Sequence, residues 1–285
     1  MSTPITSSST PLRIGKVTLT VNDLAGVSAF YQTVLGLSLI DQTIGVAQLG
    51  AGNSVFLELV ADASARRSSA KEAGLFHTAF LLPTREDLGS WIEHVARNRV
   101  AIQGASDHAV SEALYLADPE GNGIEVYADR TSAEWPYQAG AVQMVTEPLD
   151  IDSLRTAAAG RDWQGAPEGT MVGHVHLQVG ATAEADAFYA DALGLDITAR
   201  YSGASFYSSG GYHHHLAGNI WNSRNAGPRV AGSTGLRDVE LLAADAATYD
   251  RTVARLAGAA IDVQPRGNGI AVRDPWGTVL SLKQA

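Results

Sequence analysis

The chain repeats itself, and no other feature limits its fold so strongly. IGKVTLTV…AFYQTVLGLSLI over residues 14–40 is matched by VGHVHLQV…AFYADALGLDIT over 172–198. Gly15 and Gly173 each stand fifteen residues before Phe30 and Phe188, and both stretches carry FYxxxLGL without a gap. A second pair also repeats. GLFHTAFLLP (74–83) leads to DPEGNGIEVY (118–127), and GLRDVELLAA (235–244) leads to DPWGTVLSLK (274–283). Four modules follow, over 13–62, 74–130, 172–222 and 235–285. Units of this length are each one supersecondary structure that must pack against its neighbours.

Each module opens with an alternating stretch such as VTLTV or VHLQV, the period of a half-buried strand. An amphipathic helix follows, and in the first and third modules it stops at Gly36 or Gly194. Short strands then return, with turns at GAGN, DPEGNG, SSGG and DPWG. The order is βαβββ. One helix covers one face of such a sheet, so the other face finds a partner or lines a cavity. The expected fold class is α+β: four βαβββ modules whose paired sheets form two half-open barrels, each around a pocket. The first two modules read as an N-terminal domain (13–130) and the last two as a C-terminal domain (172–285). Between them, 131–171 reads as a linker with a short helix near 150–160, and residues 1–12 read as a flexible tail.

Composition excludes several classes of function. A chain of 285 residues, 45% hydrophobic, has room for a sizeable core. Its net charge of −10 argues against a nucleic-acid surface. No run is long and apolar enough to span a membrane. The polar start MSTPITSSST lacks the apolar core of a secretion signal, so a cytoplasmic protein is expected. Without cysteine, any metal must be held by His, Asp, Glu or other oxygen ligands.

Eight histidines are present, three of them consecutive in GGYHHHLAGNIW (210–221). If that run is extended, His214 points to one face and His213 and His215 to the other. A solvated strand or a subunit contact is the competing reading of the run. His94, within WIEHVARN, reads as an ordinary helix residue. DPEGNG and DPWG read as turns. Lys16 and Glu58 suit an ion pair with each other, and Asp238 and Glu240 suit salt bridges.

With FYxxxLGL and DPxGxxIE in place, the chain resembles the vicinal oxygen chelate superfamily, which includes glyoxalase I, extradiol dioxygenases and antibiotic-resistance binding proteins. The segments HAVSEALYLADPEGNGIEVYADR and GGYHHHLAGNIWNSRNA resemble its bacillar catechol-2,3-dioxygenase-like branch. The resemblance places metal ligands on the first and last strands of a module. Those positions hold Lys16 and Glu58, His77 and Glu125, His174 and the nearby His214, and Asp238 and Ser281. Pairing the second module with the third, and the first with the fourth, gathers His77, Glu125 and His174 as the implied metal ligands. Two imidazoles and a carboxylate are the facial set of non-haem Fe(II), although Mn, Zn or Ni suit the same donors.

The resemblance further implies an extradiol ring-cleaving dioxygenase of small catechols, with a small aromatic substrate and dioxygen as its partners. It implies catalytic roles for His214 as the acid–base group, Tyr115, ten residues before Glu125, and His108. Substrate contacts fall to His176 and Trp221. A glyoxalase-type isomerase or lyase, with His214 as a fourth ligand, and a non-catalytic small-molecule binder are the alternatives. Exposed strand edges in such an architecture often pair into dimers, which leaves a homodimer open and the oligomeric state undecided by the sequence.

Overall fold

A computed structural model of the chain describes residues 4–138 and 141–285. The first module folds as β1 (Leu12–Val21), α1 (Leu24–Val34), β2 (Ser38–Thr43), β3 (Val46–Ala51) and β4 (Ser54–Ala61). The second folds as β5 (Gly74–Leu81), α2 (Arg85–Arg97), β6 (Gly104–Asp107), β7 (Ser111–Ala117) and β8 (Gly123–Asp129). The connecting stretch holds β9 (Tyr137–Gln138), β10 (Ala141–Val142) and α3 (Ile151–Ala157). The third module supplies β11 (Met171–Gln178), α4 (Thr182–Asp186), β12 (Asp196–Tyr201), β13 (Ala204–Ser208) and β14 (Leu216–Asn219). Its helix continues past α4 as a wider π-type turn over Ala187–Ala192. The fourth is β15 (Gly235–Ala243), α5 (Ala246–Gly258), β16 (Gln264–Arg266), β17 (Gly269–Arg273) and β18 (Val279–Gln284).

The modules do not pair in chain order. One eight-stranded sheet runs β16-β17-β18-β15-β1-β4-β3-β2 and joins the fourth module to the first. The other runs β12-β13-β14-β11-β5-β8-β7-β6 and joins the third to the second. At the seam of this second sheet, β11 and β5 are antiparallel, with His176 opposite His77 and His174 opposite Ala79. Alternation then sends His77, His174 and His176 to one face, while Phe80, Val175 and Leu177 enter the core shared by both sheets, where a register shift between Val172 and His174 lets Val172 join them. This is the α+β architecture of two curled sheets expected from the repeat.

The repeated motifs lace successive modules together. Asp118 Oδ1 accepts the amides of Glu120 and Asn122 at 2.8 and 2.9 Å, closing the DPEGNG turn. Asp274 Oδ1 accepts those of Trp276 and Thr278 at 3.0 and 2.7 Å, closing DPWG. The tyrosine of each FYxxxLGL reaches the turn of the next module: Tyr189 donates to Asp274 Oδ2 at 2.8 Å, and Tyr31 faces Asp118 Oδ2 at 3.5 Å.

The described part of the amino-terminal segment is packed, and this corrects the expectation of a flexible tail over 1–12. Ile5 packs against Val110, Trp135, Val142 and Tyr212. Ser7 and Thr10 are buried. Thr10 Oγ1 donates to the carbonyls of Ser7 and Leu12 at 2.7 and 2.8 Å and stands 3.1 Å from His215 Nε2. Composition alone reads such a Ser/Thr stretch as solvated. Its hydroxyls instead satisfy local backbone groups while one isoleucine anchors it.

Candidate metal centre

The concave face of the second sheet encloses a cavity of about 770 Å³ lined by His77, His108, Tyr115, Glu125, His174, His176, His214 and Trp221. On the first strand of its module, β5 delivers His77, and β11 delivers His174 from the neighbouring module. The last strand, β8, lies parallel to β5 with Glu125 opposite Ala79. His77, Glu125 and His174 are all buried, and their ligand atoms lie within 4.8 Å of one another. His77 Nε2 is 3.0 Å from Glu125 Oε2, and His174 Nε2 is 3.3 Å from the same oxygen. Among the described residues His77 Nε2 has no hydrogen-bond partner, despite that approach.

Burial by itself would raise the Glu125 carboxyl, but His174 and His77 outweigh it and hold the group well below the usual carboxylate range. Burial pushes His174 down to about 4, against the opposing pull of Glu125. At neutral pH the cluster is therefore one carboxylate with a neutral His174 beside it. A buried carboxylate without a compensating cation is costly. Its oxygen donors, the imidazole nitrogens and the orphaned His77 Nε2 fit a divalent ion.

The three-fold convergence is completed by what stands at the fourth position. Along the seam His176 pairs with Ala217 of β14, as Ala79 pairs with Glu125 of β8. Ala217 thus occupies in the third module the place that Glu125 occupies in the second. An alanine supplies no ligand, so this ring holds three donors and one open side.

The other candidate residues surround that side. His214 is buried with its ring 4.1 Å from that of His174 and 5.1 Å from Phe206. Burial first, then His174 and His213, push it well below the ordinary histidine range. The histidine run is not a strand; β14 begins only at Leu216. Its three side chains still diverge: His214 lines the cavity, His213 faces Asp129, and His215 turns to Thr10. His108 Nδ1 donates to the Val145 carbonyl at 2.6 Å, which leaves Nε2 to accept the Tyr115 hydroxyl at 2.6 Å. Burial and then Glu125 push the Tyr115 phenol well up, so it keeps its proton.

His176 Nε2 accepts from the Asn219 amide at 3.0 Å, and the Trp221 backbone N–H fixes that amide by donating to Asn219 Oδ1 at 3.1 Å. Trp221 is 49% exposed and stands at the rim of the cavity. Several lining residues went unnoticed in the sequence. Phe76 stacks edge-on against His176 and Trp221, and Phe206 packs against His176 and His214. Tyr127 lies over His174 at 5.0 Å. Gly173 must be glycine for this approach, since a Cβ there would meet the Tyr127 hydroxyl at 1.9 Å. Alternation along GIEVYAD, which puts residues 125, 127 and 129 on one face, was the available signal.

The fold and this site define a family. The chain matches the model of the glyoxalase/bleomycin resistance protein/dioxygenase superfamily over residues 13–126 and 171–282, and belongs to it. It is 39% identical over 267 residues to a catechol-2,3-dioxygenase of Bacillus subtilis (strain 168), covering 92% of this chain and 93% of that protein. Among solved structures, a protein from Bacillus subtilis subsp. subtilis str. 168 superposes with a TM-score of 0.66 at 15% identity, covering 96% of this chain and 85% of that one. Glyoxalase I from Zea mays superposes at 0.56 and 15% identity, covering 95% and 92%. Both likenesses speak to the fold alone. No helix among the described residues is long and apolar enough to cross a membrane.

Proposed function

We propose that this chain is a non-haem Fe(II)-dependent extradiol dioxygenase acting on small catechols. The observation that carries the reading is the three-donor ring with Ala217 at its fourth corner, opening into the cavity beside His214. A glyoxalase-type centre calls for four protein ligands; the fourth strand position is an alanine, so that reading needs His214, which lies outside the strand, as its last ligand. The 39% identity to a catechol-2,3-dioxygenase supports the same choice.

Iron(II) held by His77, Glu125 and His174 would supply the open positions at which a catecholate and dioxygen meet. The chain's own residues do the rest. Phe76, Phe206 and Trp221 offer aromatic faces and edges to a planar ring. His214, kept neutral by burial, stands ready to take a proton from a substrate hydroxyl. Tyr115 remains protonated and is aimed by His108, so it presents a fixed hydroxyl beside Glu125. His176, locked by Asn219, forms a polar wall that cannot swing into the site.

The test is direct. Protein loaded with Fe(II) under nitrogen and mixed with catechol in air should yield a yellow ring-fission product, and elemental analysis should find about one iron per chain. Turnover of methylglyoxal with a thiol, and none of catechol, would support the isomerase. Tight catechol binding without turnover, in metal-loaded protein, would support a binder.

A further inference from the structure

Asp129 ends β8 four residues beyond Glu125, on the same face of the strand. Its Oδ1 is 2.9 Å from His213 Nε2, and its Oδ2 accepts the Tyr212 hydroxyl at 2.9 Å. The Tyr127 hydroxyl lies 3.0 Å from that of Tyr212 and completes the set. His213 is fully buried, its ring 5.3 Å from Trp135 and 4.0 Å from Tyr212. On its far side, His213 Nδ1 stands 2.8 Å from His214 Nδ1.

These contacts restrict where the protons can sit. An ionised carboxylate only accepts, so His213 Nε2 carries the proton that faces Asp129. A His213 that carries this one proton has a bare Nδ1, and the close contact between the two Nδ1 atoms then takes its proton from His214. A doubly protonated His213 would donate from Nδ1 instead and leave His214 protonated at Nε2, the outcome that overturns the proposal. Once His214 Nδ1 holds that proton, its Nε2 is bare, and Nε2 is the nitrogen turned away from His213 and toward the cavity.

We propose that Asp129 and His213 are positioning residues that hold His214 in the Nδ1–H tautomer, presenting a bare Nε2 to accept a proton from a bound substrate hydroxyl. The tautomer of an imidazole is set by the partner of its other nitrogen, and here that partner is chosen two residues deep. His215 shows that this is not a generic property of the run. Its Nδ1 faces the Ser208 hydroxyl at 3.1 Å and its Nε2 faces Thr10, so it takes no part in the chain leading to the cavity. The catalytic consequence rests on the dioxygenase reading; the hydrogen-bond chain does not.

The test reads protons and rates separately. In protein labelled with ¹⁵N-histidine and loaded with diamagnetic Zn(II), NMR should find His214 protonated at Nδ1. In Asp129→Asn the Tyr212 hydroxyl keeps the amide oxygen, so the amide NH₂ faces His213 Nε2. His213 then turns to its Nδ1–H form, and His214 is forced to Nε2–H. With iron, this variant should keep its metal and bind catechol with KM within about threefold of wild type, while kcat falls about 100-fold. Asp129→Glu should restore the Nδ1–H tautomer and part of the rate.

Wild-type His214 protonated at Nε2, or an unchanged tautomer in Asp129→Asn, would overturn the proposal. Should Asp129→Asn fail to fold, His213→Phe carries the same test. It removes the acceptor of His214 Nδ1–H, and an unchanged His214 tautomer there would also overturn the proposal. Wild-type protein inert toward catechol, yet with the tautomer shifting in Asp129→Asn, would remove the dioxygenase reading and support the hydrogen-bond chain. Active wild type with an unmoved tautomer would do the reverse.

Discussion

The two sheets share one topology and differ in what lies at their seams. Strand register puts Lys16 where the other sheet has His174, Asp238 for His77, Ser281 for Glu125, and Glu58 for Ala217. In the first sheet these side chains pair with one another, although Asp238 Oδ1 has no hydrogen-bond partner among the described residues. Lys16 pairs with Glu58 at 2.9 Å, Ser281 donates to Asp238 at 2.9 Å, and Arg266 stands 3.2 Å from Asp238. Lys283 pairs with Glu240 at 2.6 Å, and the remaining cavity is about 140 Å³. Three cations thus answer three carboxylates. In the second sheet one buried carboxylate, Glu125, faces His77 and His174 beside a cavity of about 770 Å³, with no cationic side chain paired to it. A seam whose charges balance internally has no use for an ion. A seam left one positive charge short fits one.

The contrast can be broken most severely at Glu125. Glu125→Ala should drop metal content at least about tenfold by elemental analysis and abolish turnover, since the ring loses its only anion. Unchanged metal content would mean that the ion, if any, sits elsewhere. His214→Phe comes next. It should retain metal and lower kcat by about 10² to 10⁴. Loss of metal instead would make His214 a ligand and favour the isomerase.

Acid should separate the sheets. All eight histidines belong to the second and third modules. Burial lowers His174 from 6.5 to about 4 and His215 to about 3, and it lowers His176 and His214 as well. Each is neutral when folded and takes up a proton near 6.5 when unfolded. The unfolded chain therefore binds more protons below that pH, and stability falls as pH drops from about 6.5 toward 4. Glu125, depressed when folded, acts in the same direction at lower pH. Each histidine adds a slope of up to about 1.4 kcal/mol per pH unit. Urea midpoints at pH 7, 6 and 5 should decline, with hydrogen exchange rising first in β5, β8 and β11. The smallest effect is expected at Glu58→Gln, which leaves Lys16 unpaired in a half-buried site. It should cost about 1–2 kcal/mol in urea unfolding and leave metal content unchanged. A loss of metal there would show that the seams are coupled.

Much of the architecture was legible because periodicity is local. VTLTV, VHLQV and FYxxxLGL declare strands and helices within a few residues, and DPEGNG and DPWG declare their turns. The convergence of His77, Glu125 and His174 was legible as well, once the modules were paired across the two halves. The path of the histidine run was not. A stretch expected to be extended joins the ladder only at its end, where the His215 N–H donates to the Tyr207 carbonyl and its own carbonyl accepts the Val175 amide, while the three side chains diverge to Asp129, the cavity and Thr10. The docking of Ile5 and Thr10 was hidden for the same reason: their partners at 110, 135 and 215 are far away in the chain.

The sequence by itself determined the four units, the strand faces on which His77, His174, His176 and Glu125 lie, and the imbalance of charge between the two seams. Those follow from residue order and alternation, which no distant contact can alter. Only the tertiary structure decided that His213 would stand between Asp129 and His214, and that Ala217 would face the ligand ring. Hydrogen bonds and strand register join residues dozens of positions apart, and their geometry exists only when the chain is closed.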